Sequence, residues 1–211
     1  MLNLISKDFK FTKKQALILI AYCIAVPILL YSDSGTNYYM ASVFIPFVAT
    51  SLLVNKICAI EDTTDMLIML KRLPCKNTVR VAARFIFAFI VLAFSQLYLT
   101  CIQTFIFRLG SFSTLIIDNI LLFLGFSVYY GLYLTLYYWQ GSHFAQYSVY
   151  VCLGVYFAIS FFVNRMEEGE RFFEFMQNFL QNRNTFSLAC LGIIFLFYFL
   201  SLKGEEHRKL V

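Results

Sequence analysis

Charge is scarce in this chain. Asp, Glu, Lys and Arg make up 14% of the 211 residues, against 60% hydrophobic and 19% aromatic. A soluble domain carries about a quarter charged residues, so this sequence has too few polar side chains to cover a surface in water. That excludes a water-soluble globular fold and leaves a polytopic membrane protein. Histidine is rarer still, with His143 and His207 the only two. The six cysteines (Cys23, Cys58, Cys75, Cys101, Cys152 and Cys190) are scattered without a CxxC pair. No zinc site is expected from such a set, and the thiols read as small apolar residues. No GxxxxGK[ST] occurs, so the chain has no P-loop and is expected to bind no cofactor itself. An enzyme is not expected: Glu167-Glu168-Gly169-Glu170-Arg171 brushes against the EExxxR of CAAX-type membrane proteases, but its spacing is short and no span carries a histidine.

What is present is a series of apolar runs of the length that crosses about 30 Å of hydrocarbon. Six are expected, at Gln15–Tyr31, Tyr38–Ile57, Val81–Phe107, Thr114–Tyr138, Phe144–Val163 and Thr185–Leu202. The third is long enough to contain a bend. Tyr129, Tyr130, Tyr133, Tyr137, Tyr138 and Trp139, at the end of the fourth, match an interfacial aromatic belt. Residues 1–14 alternate apolar bulk (Leu2, Leu4, Ile5, Phe9, Phe11) with Lys7, Lys10, Lys13 and Lys14, the pattern of a helix lying on the membrane with its lysines toward anionic headgroups. The opening has no small-residue cleavage site and does not read as a cleavable signal peptide. The chain reads as one compact transmembrane domain, 1–211.

The net charge of +5 flanks apolar runs, which argues for membrane topology and against nucleic acid. With six spans both termini share a side. Thirteen of the seventeen Lys and Arg fall on that side, and only Arg108, Arg165, Arg171 and Arg183 on the other. The positive-inside rule then puts both termini and the 56–84 loop in the cytoplasm of a cell membrane, and the 164–184 loop outside. The outside segment 165–183 has Phe172, Phe175, Met176 and Phe179 on one helical face, an amphipathic external helix. In the third span Ser95, Gln96, Leu99 and Gln103 recur at helical spacing. They mark a possible translocation route or a dimer seam, with hydrogen bonding inside the bundle as the simpler reading. Arg80 and Arg84, at the start of that span, are placed to snorkel to the interface.

The polar stretch Glu61–Phe85 is the longest in the first two-thirds of the chain. Asp62 or Thr63 can cap a helix and Asp65 adds charge to its first turn. Met66, Met69, Leu70 and Leu73 form one apolar face, Lys71 and Arg72 sit in the last turn, and Pro74 ends the helix. Asn77 or Thr78 can then cap the helix leading into the third span. The run Leu73-Pro74-Cys75-Lys76-Asn77-Thr78-Val79, followed by Arg84-Phe85, resembles the first cytoplasmic loop of ABC-2-type transporter permeases: an acidic start (Glu61, Asp62, Asp65), a Leu-Pro break, a basic residue, and a basic-aromatic pair. Lys76 stands where arginine is usual, and Arg72 replaces a small residue. The opening MLNLISKDFK and the six-span outline agree.

The resemblance implies an all-α fold of the type V exporter kind, with 61–73 as the coupling helix. That helix docks on a separate ABC ATPase subunit, which alone binds ATP and Mg. Asp62, Asp65, Met66, Met69, Leu70, Lys71, Arg72, Leu73, Pro74 and Lys76 would form the docking surface. It further implies a second permease copy or a sister permease, forming a homo- or heterodimer. It is similar to small bacterial permeases that export peptides, such as phenol-soluble modulin exporters or bacteriocin-immunity permeases, which implies an amphipathic peptide cargo. The alternative is a non-transporting immunity or sensor protein that binds an antimicrobial peptide at the membrane.

Overall fold

The computed structural model describes residues 2–15, 22, 37–63, 76–106, 112–152, 154 and 182–207. All of its regular elements are helices: α1 (Leu2–Phe11), α2 (Asn37–Glu61), α3 (Asn77–Cys101), α4 (Phe112–Gln140), the one-turn α5 (Ser142–Ala145) and α6 (Arg183–His207). Three stretches among the described residues are long and apolar enough to cross a membrane: Asn77–Phe105, Leu115–Gln140 and Arg183–His207. They correspond to the expected third, fourth and sixth spans, with ends that differ by one to five residues. The expected second span falls within the 25-residue α2, which is not one of these three stretches. Pro46 lies inside it, where neighbouring helices can satisfy the backbone group that proline frees. The first span lies outside the described residues apart from Gln15 and Tyr22, and the fifth is described only in its first part.

Inside a bilayer the apolar side chains gain nothing by leaving lipid, so helix contacts are decided by packing and interhelical hydrogen bonds. The sequence supplies both on one stripe of α4. Tyr130, Tyr133, Leu134, Tyr137 and Tyr138 recur with the helical period and are all at most 2% exposed. Tyr133, Leu134, Tyr137 and Tyr138 meet Leu53, Val54 and Ile57 of α2 and Val81, Phe85 and Ala88 of α3 in a single core. The Tyr130 hydroxyl donates to Phe47 O at 2.8 Å and lies 2.9 Å from Ser51 Oγ. These tyrosines are therefore core and not an interfacial belt. Their spacing buries them, whereas Tyr129 is half-buried and Trp139 is 48% exposed.

The pairings fix direction. Phe47 meets Tyr130 and Asp62 meets Ser142, so α2 and α4 run parallel. Gly131 and Thr135 lie against Phe197 and Ser201, so α6 runs parallel to both. Phe85 meets Tyr198 and Arg80 meets Glu205, so α3 runs the opposite way. That alternation is the one expected if these are the second, third, fourth and sixth crossings. The lipid-sized outer face of α6 carries Leu188, Leu191, Phe195 and Phe199, all more than half exposed.

The bend anticipated in the third span is a π-helical turn, Ile102–Ile106. It follows a run in which Ser95 and Thr100 turn their hydroxyls onto the carbonyls of Leu92 and Gln96. Beside it Asn119 of α4 donates to Thr100 Oγ1 at 2.6 Å and to Gln103 Oε1 at 3.4 Å.

α6 closes on α4 at Gly204. A Cβ built there would sit 2.6 Å from Trp139 Cδ1, whose ring donates through Nε1 to Leu200 O at 3.0 Å. Gly204→Val is expected to lower stability by about 1–3 kcal/mol through overpacking. The check is the thermal midpoint of the detergent-solubilised protein. Gly192→Val, where the added carbon meets nothing within 4 Å, is the matched control.

Candidate functional site

The sequence draws attention to 61–85, and the structure shows what stands at its two roots. The helical stripe Ile5, Asp8 and Thr12 turns inward from α1; all three are buried. Ile5 joins the core, and Phe9 sets its ring edge-on to Phe87 at 5.0 Å. Asp8 is thus carried into the bundle on an otherwise apolar face. There it meets Glu61, the last residue of α2, and Arg84, in the second turn of α3.

Arg84 binds both acids. Its Nε donates to Glu61 Oε2 at 2.9 Å, its Nη2 also pairs with Glu61, and its Nη1 donates to Asp8 Oδ2 at 2.5 Å. The fork-on-fork contact with Glu61 is the arrangement in which guanidinium recognises carboxylate best. Lys7 adds a second cation, 3.0 Å from Glu61 Oε1 and 3.7 Å from Asp8 Oδ1. The Arg84, Asp8 and Glu61 side chains are all 5% exposed or less. Two positive and two negative groups therefore balance in a site almost closed to solvent. Desolvated charges persist in such a place only when paired in this way.

The two acids are not equivalent. Burial is the largest influence on Asp8 and raises its pKa; Arg84 pulls against that rise without cancelling it, and the nearby Glu61 charge adds to it. Burial is also the largest single influence on Glu61. There the charges and hydrogen bonds of Arg84 and Lys7 together outweigh it, and the pKa falls. Glu61 is the firm anion of the cluster, and Asp8 takes up a proton more readily.

A second buried pair stands one turn away. Arg80 is paired with Glu205 of α6, both side chains at most 10% exposed. Asp62 accepts from the backbone N–H of Ser142. Gly141, at φ 94°, allows this approach: a Cβ there would lie 3.0 Å from Asp62 Oδ2. Thr63 turns its hydroxyl onto Ile60 O at 2.7 Å, so it finishes α2. Lys76 is exposed and forms the N-cap of α3 without a side-chain cap, so neither Asn77 nor Thr78 caps that helix. One end of the bundle thus gathers α1, the end of α2, the start of α3, the α4–α5 junction and the end of α6. Among the described residues the other end has one ion pair, Arg183 to Asp118 at 3.7 Å, both well exposed.

Of the expected docking residues, Asp62 and Lys76 are described; Asp65, Met66, Met69, Leu70, Lys71, Arg72, Leu73 and Pro74 lie outside the described residues, as do Phe172, Phe175, Met176 and Phe179 of the external helix. Ser95, Gln96, Leu99 and Gln103 do share a face, and all four are buried within a single copy. Gln103 accepts from Asn119, while the Gln96 amide makes no hydrogen bond. Arg80 and Arg84 do not snorkel. They lie on the inward face of α3 beside Val81 and Phe85, and buried carboxylates meet them there. Sequence reasoning overlooked Asp8, Glu205 and the inward turn of Glu61. The available signal was Asp8 falling on the Ile5–Thr12 stripe.

Residues 3–204 match the family described as ABC-2 family transporter protein. No curated protein and no solved structure matches the chain. A match over nearly the whole length, on an all-helical scaffold with membrane-length apolar helices, settles the class: the chain belongs to the ABC-2 transporter family and is a membrane-embedded permease subunit, which works with an ABC ATPase.

Proposed function

We propose that this permease is an exporter subunit that moves an amphipathic or hydrophobic cargo, a peptide first of all, out of the cell. It works as a homo- or heterodimer above two ATPase subunits, and 61–76 is the cytoplasmic segment on which the ATPase sits. The observation that carries this reading is the concentration of basic residues on one side, thirteen against four, with 61–85 at its centre. The apolar face Met66, Met69, Leu70 and Leu73 gives the segment something to bury in a partner groove. ATP binds and is hydrolysed on the partner, since the P-loop is absent from this sequence. An aromatic chain with few charges suits a cargo that is itself partly apolar. The unpaired Gln96 amide, between Ser95 and Leu99 and a turn and more before Gln103, is the polar group that an opening of the bundle would offer to a peptide backbone.

Replacing both Leu70 and Leu73 with Asp is expected to release the ATPase while membrane insertion is retained, a loss of affinity of about tenfold or more, or at least ~1.4 kcal/mol. Co-purification from detergent extracts measures it, and an ATPase that stays bound removes 61–76 from the interface. Cargo is tested with inside-out vesicles: ATP-driven uptake of a fluorescent amphipathic peptide should be inhibited by other such peptides and not by small sugars. Equal inhibition by sugars overturns the cargo assignment, and a chain with no ATPase partner returns the reading to a peptide-binding immunity or sensor protein.

A further inference from the structure

We infer that Asp8 and Lys7 make the N-terminal helix a moving part of the transmission, with Arg84 and Glu61 as the joint through which it is driven. The inference rests on the proposed docking of the ATPase at 61–76. Glu61 and Arg84 stand at the two roots of the segment 62–83, one ending α2 and the other in the second turn of α3. They are bound to each other by two guanidinium contacts. A push on the segment therefore reaches both roots as one unit.

Among the described residues, α1 is attached chiefly to that unit. Its contacts are concentrated on α3. Its polar ties are Asp8 to Arg84 at 2.5 Å and Lys7 to Glu61 at 3.0 Å, one to each root. Its aromatic tie, Phe9 to Phe87, is again to α3, one turn beyond Arg84. A helix that only rested on the membrane would present its acid to water. This one buries Asp8 to 1% exposure and leaves one carboxylate oxygen, Oδ1, without a hydrogen bond. Burying a carboxylate in that state is unfavourable unless the guanidinium compensates, so α1 follows Arg84. Asp8 and Lys7 act as positioning residues: they touch neither cargo nor nucleotide, and their effect passes through the Glu61–Arg84 pair.

The test places a reporter on the exposed side of α1. Ser6 faces solvent. Ser6→Cys is introduced in the full-length chain with its native cysteines replaced by alanine, co-expressed with the ATPase subunit, and labelled with a membrane-impermeant maleimide in inside-out vesicles. Addition of a non-hydrolysable ATP analogue should change the labelling rate at position 6 by about fivefold or more, the lower range of coupling between linked sites. Asp8→Asn should abolish that change while the ATPase still co-purifies. Asp8→Glu keeps a carboxylate for the Arg84 guanidinium and leaves the Glu61–Arg84 pair intact, and it should preserve the change. Lys7→Gln, which cuts the tie to the other root, is the second variant if Asp8→Asn does not accumulate. Labelling at position 6 that ignores the nucleotide while the ATPase is bound overturns the inference. So does a nucleotide response that survives Asp8→Asn or Lys7→Gln unchanged. Failure of the unaltered chain to hold the ATPase appears separately in the co-purification; it overturns the docking reading and this inference with it.

Discussion

Arg84→Ala is expected to cost about 3–5 kcal/mol, the range for removing one member of a buried charge cluster. The loss comes less from the missing attraction than from what is left behind. Glu61 and Asp8 would face each other in a site at most 5% exposed, with Lys7, among the described residues, the cation left near both. Two desolvated anions cannot both stay ionised there, and one takes a proton or the helices part. The thermal midpoint and the monodisperse fraction after detergent extraction should both fall sharply. Arg84→Lys should fall less: it keeps the charge but not the fork that holds both acids. A midpoint for Arg84→Ala equal to that of the unaltered protein would mean that the acids find solvent and that the cluster is not sealed.

The second large effect is expected at Glu205. Glu205→Ala removes a buried carboxylate from the Arg80 guanidinium, a destabilisation of about 3 kcal/mol or more. The pair joins α3 to α6 across 125 residues of chain, so the lesion should loosen the C-terminal helix. Protease nicking near residue 183 should report that loosening. The informative companion is Arg80→Met with Glu205→Leu. Removing both charges and keeping the volume should recover most of the stability, because a buried pair contributes little over an apolar contact once neither partner is stranded. If the double variant is as unstable as Glu205→Ala, the pair carries an additional role that charge burial does not explain.

The scaffold was largely legible in the sequence because its signal is local. A run of about twenty apolar residues announces a crossing by itself, and α3, α4 and α6 lie where such runs fall. α1 was legible as a helix for the same reason. The ion cluster was not legible because its signal is non-local: Lys7–Glu61, Arg84–Asp8 and Arg80–Glu205 join residues 54, 76 and 125 positions apart. An arginine at the mouth of a span looks the same whether it turns to lipid headgroups or to a buried acid, and only the partner decides. The tyrosines of α4 were misjudged on related grounds. Their residue type suits an interface, but their spacing at 130, 133, 137 and 138 is that of a packed stripe, and spacing won. Ser95, Gln96, Leu99 and Gln103 are all buried, the last of them in the wide turn that begins at Ile102. The amphipathic faces expected at 65–74 and 172–179 fall outside the described residues and rest on their sequence pattern alone.

The uneven distribution of ionic ties has a mechanical meaning. Buried charges fasten the bundle at the end that holds residues 8, 61, 80, 84 and 205, whereas the opposite end has, among the described residues, the exposed 3.7 Å contact of Arg183 with Asp118. An exposed pair of that kind is worth about 0–1 kcal/mol. Among the described residues the bundle therefore has its hinge at the charged end and its tips at the other. Twenty residues of helix make an arm of about 30 Å, so a tilt of about 5° at the hinge parts the tips by roughly 3 Å. A small rotation at the charged end would thereby become a larger displacement at the other end of these helices.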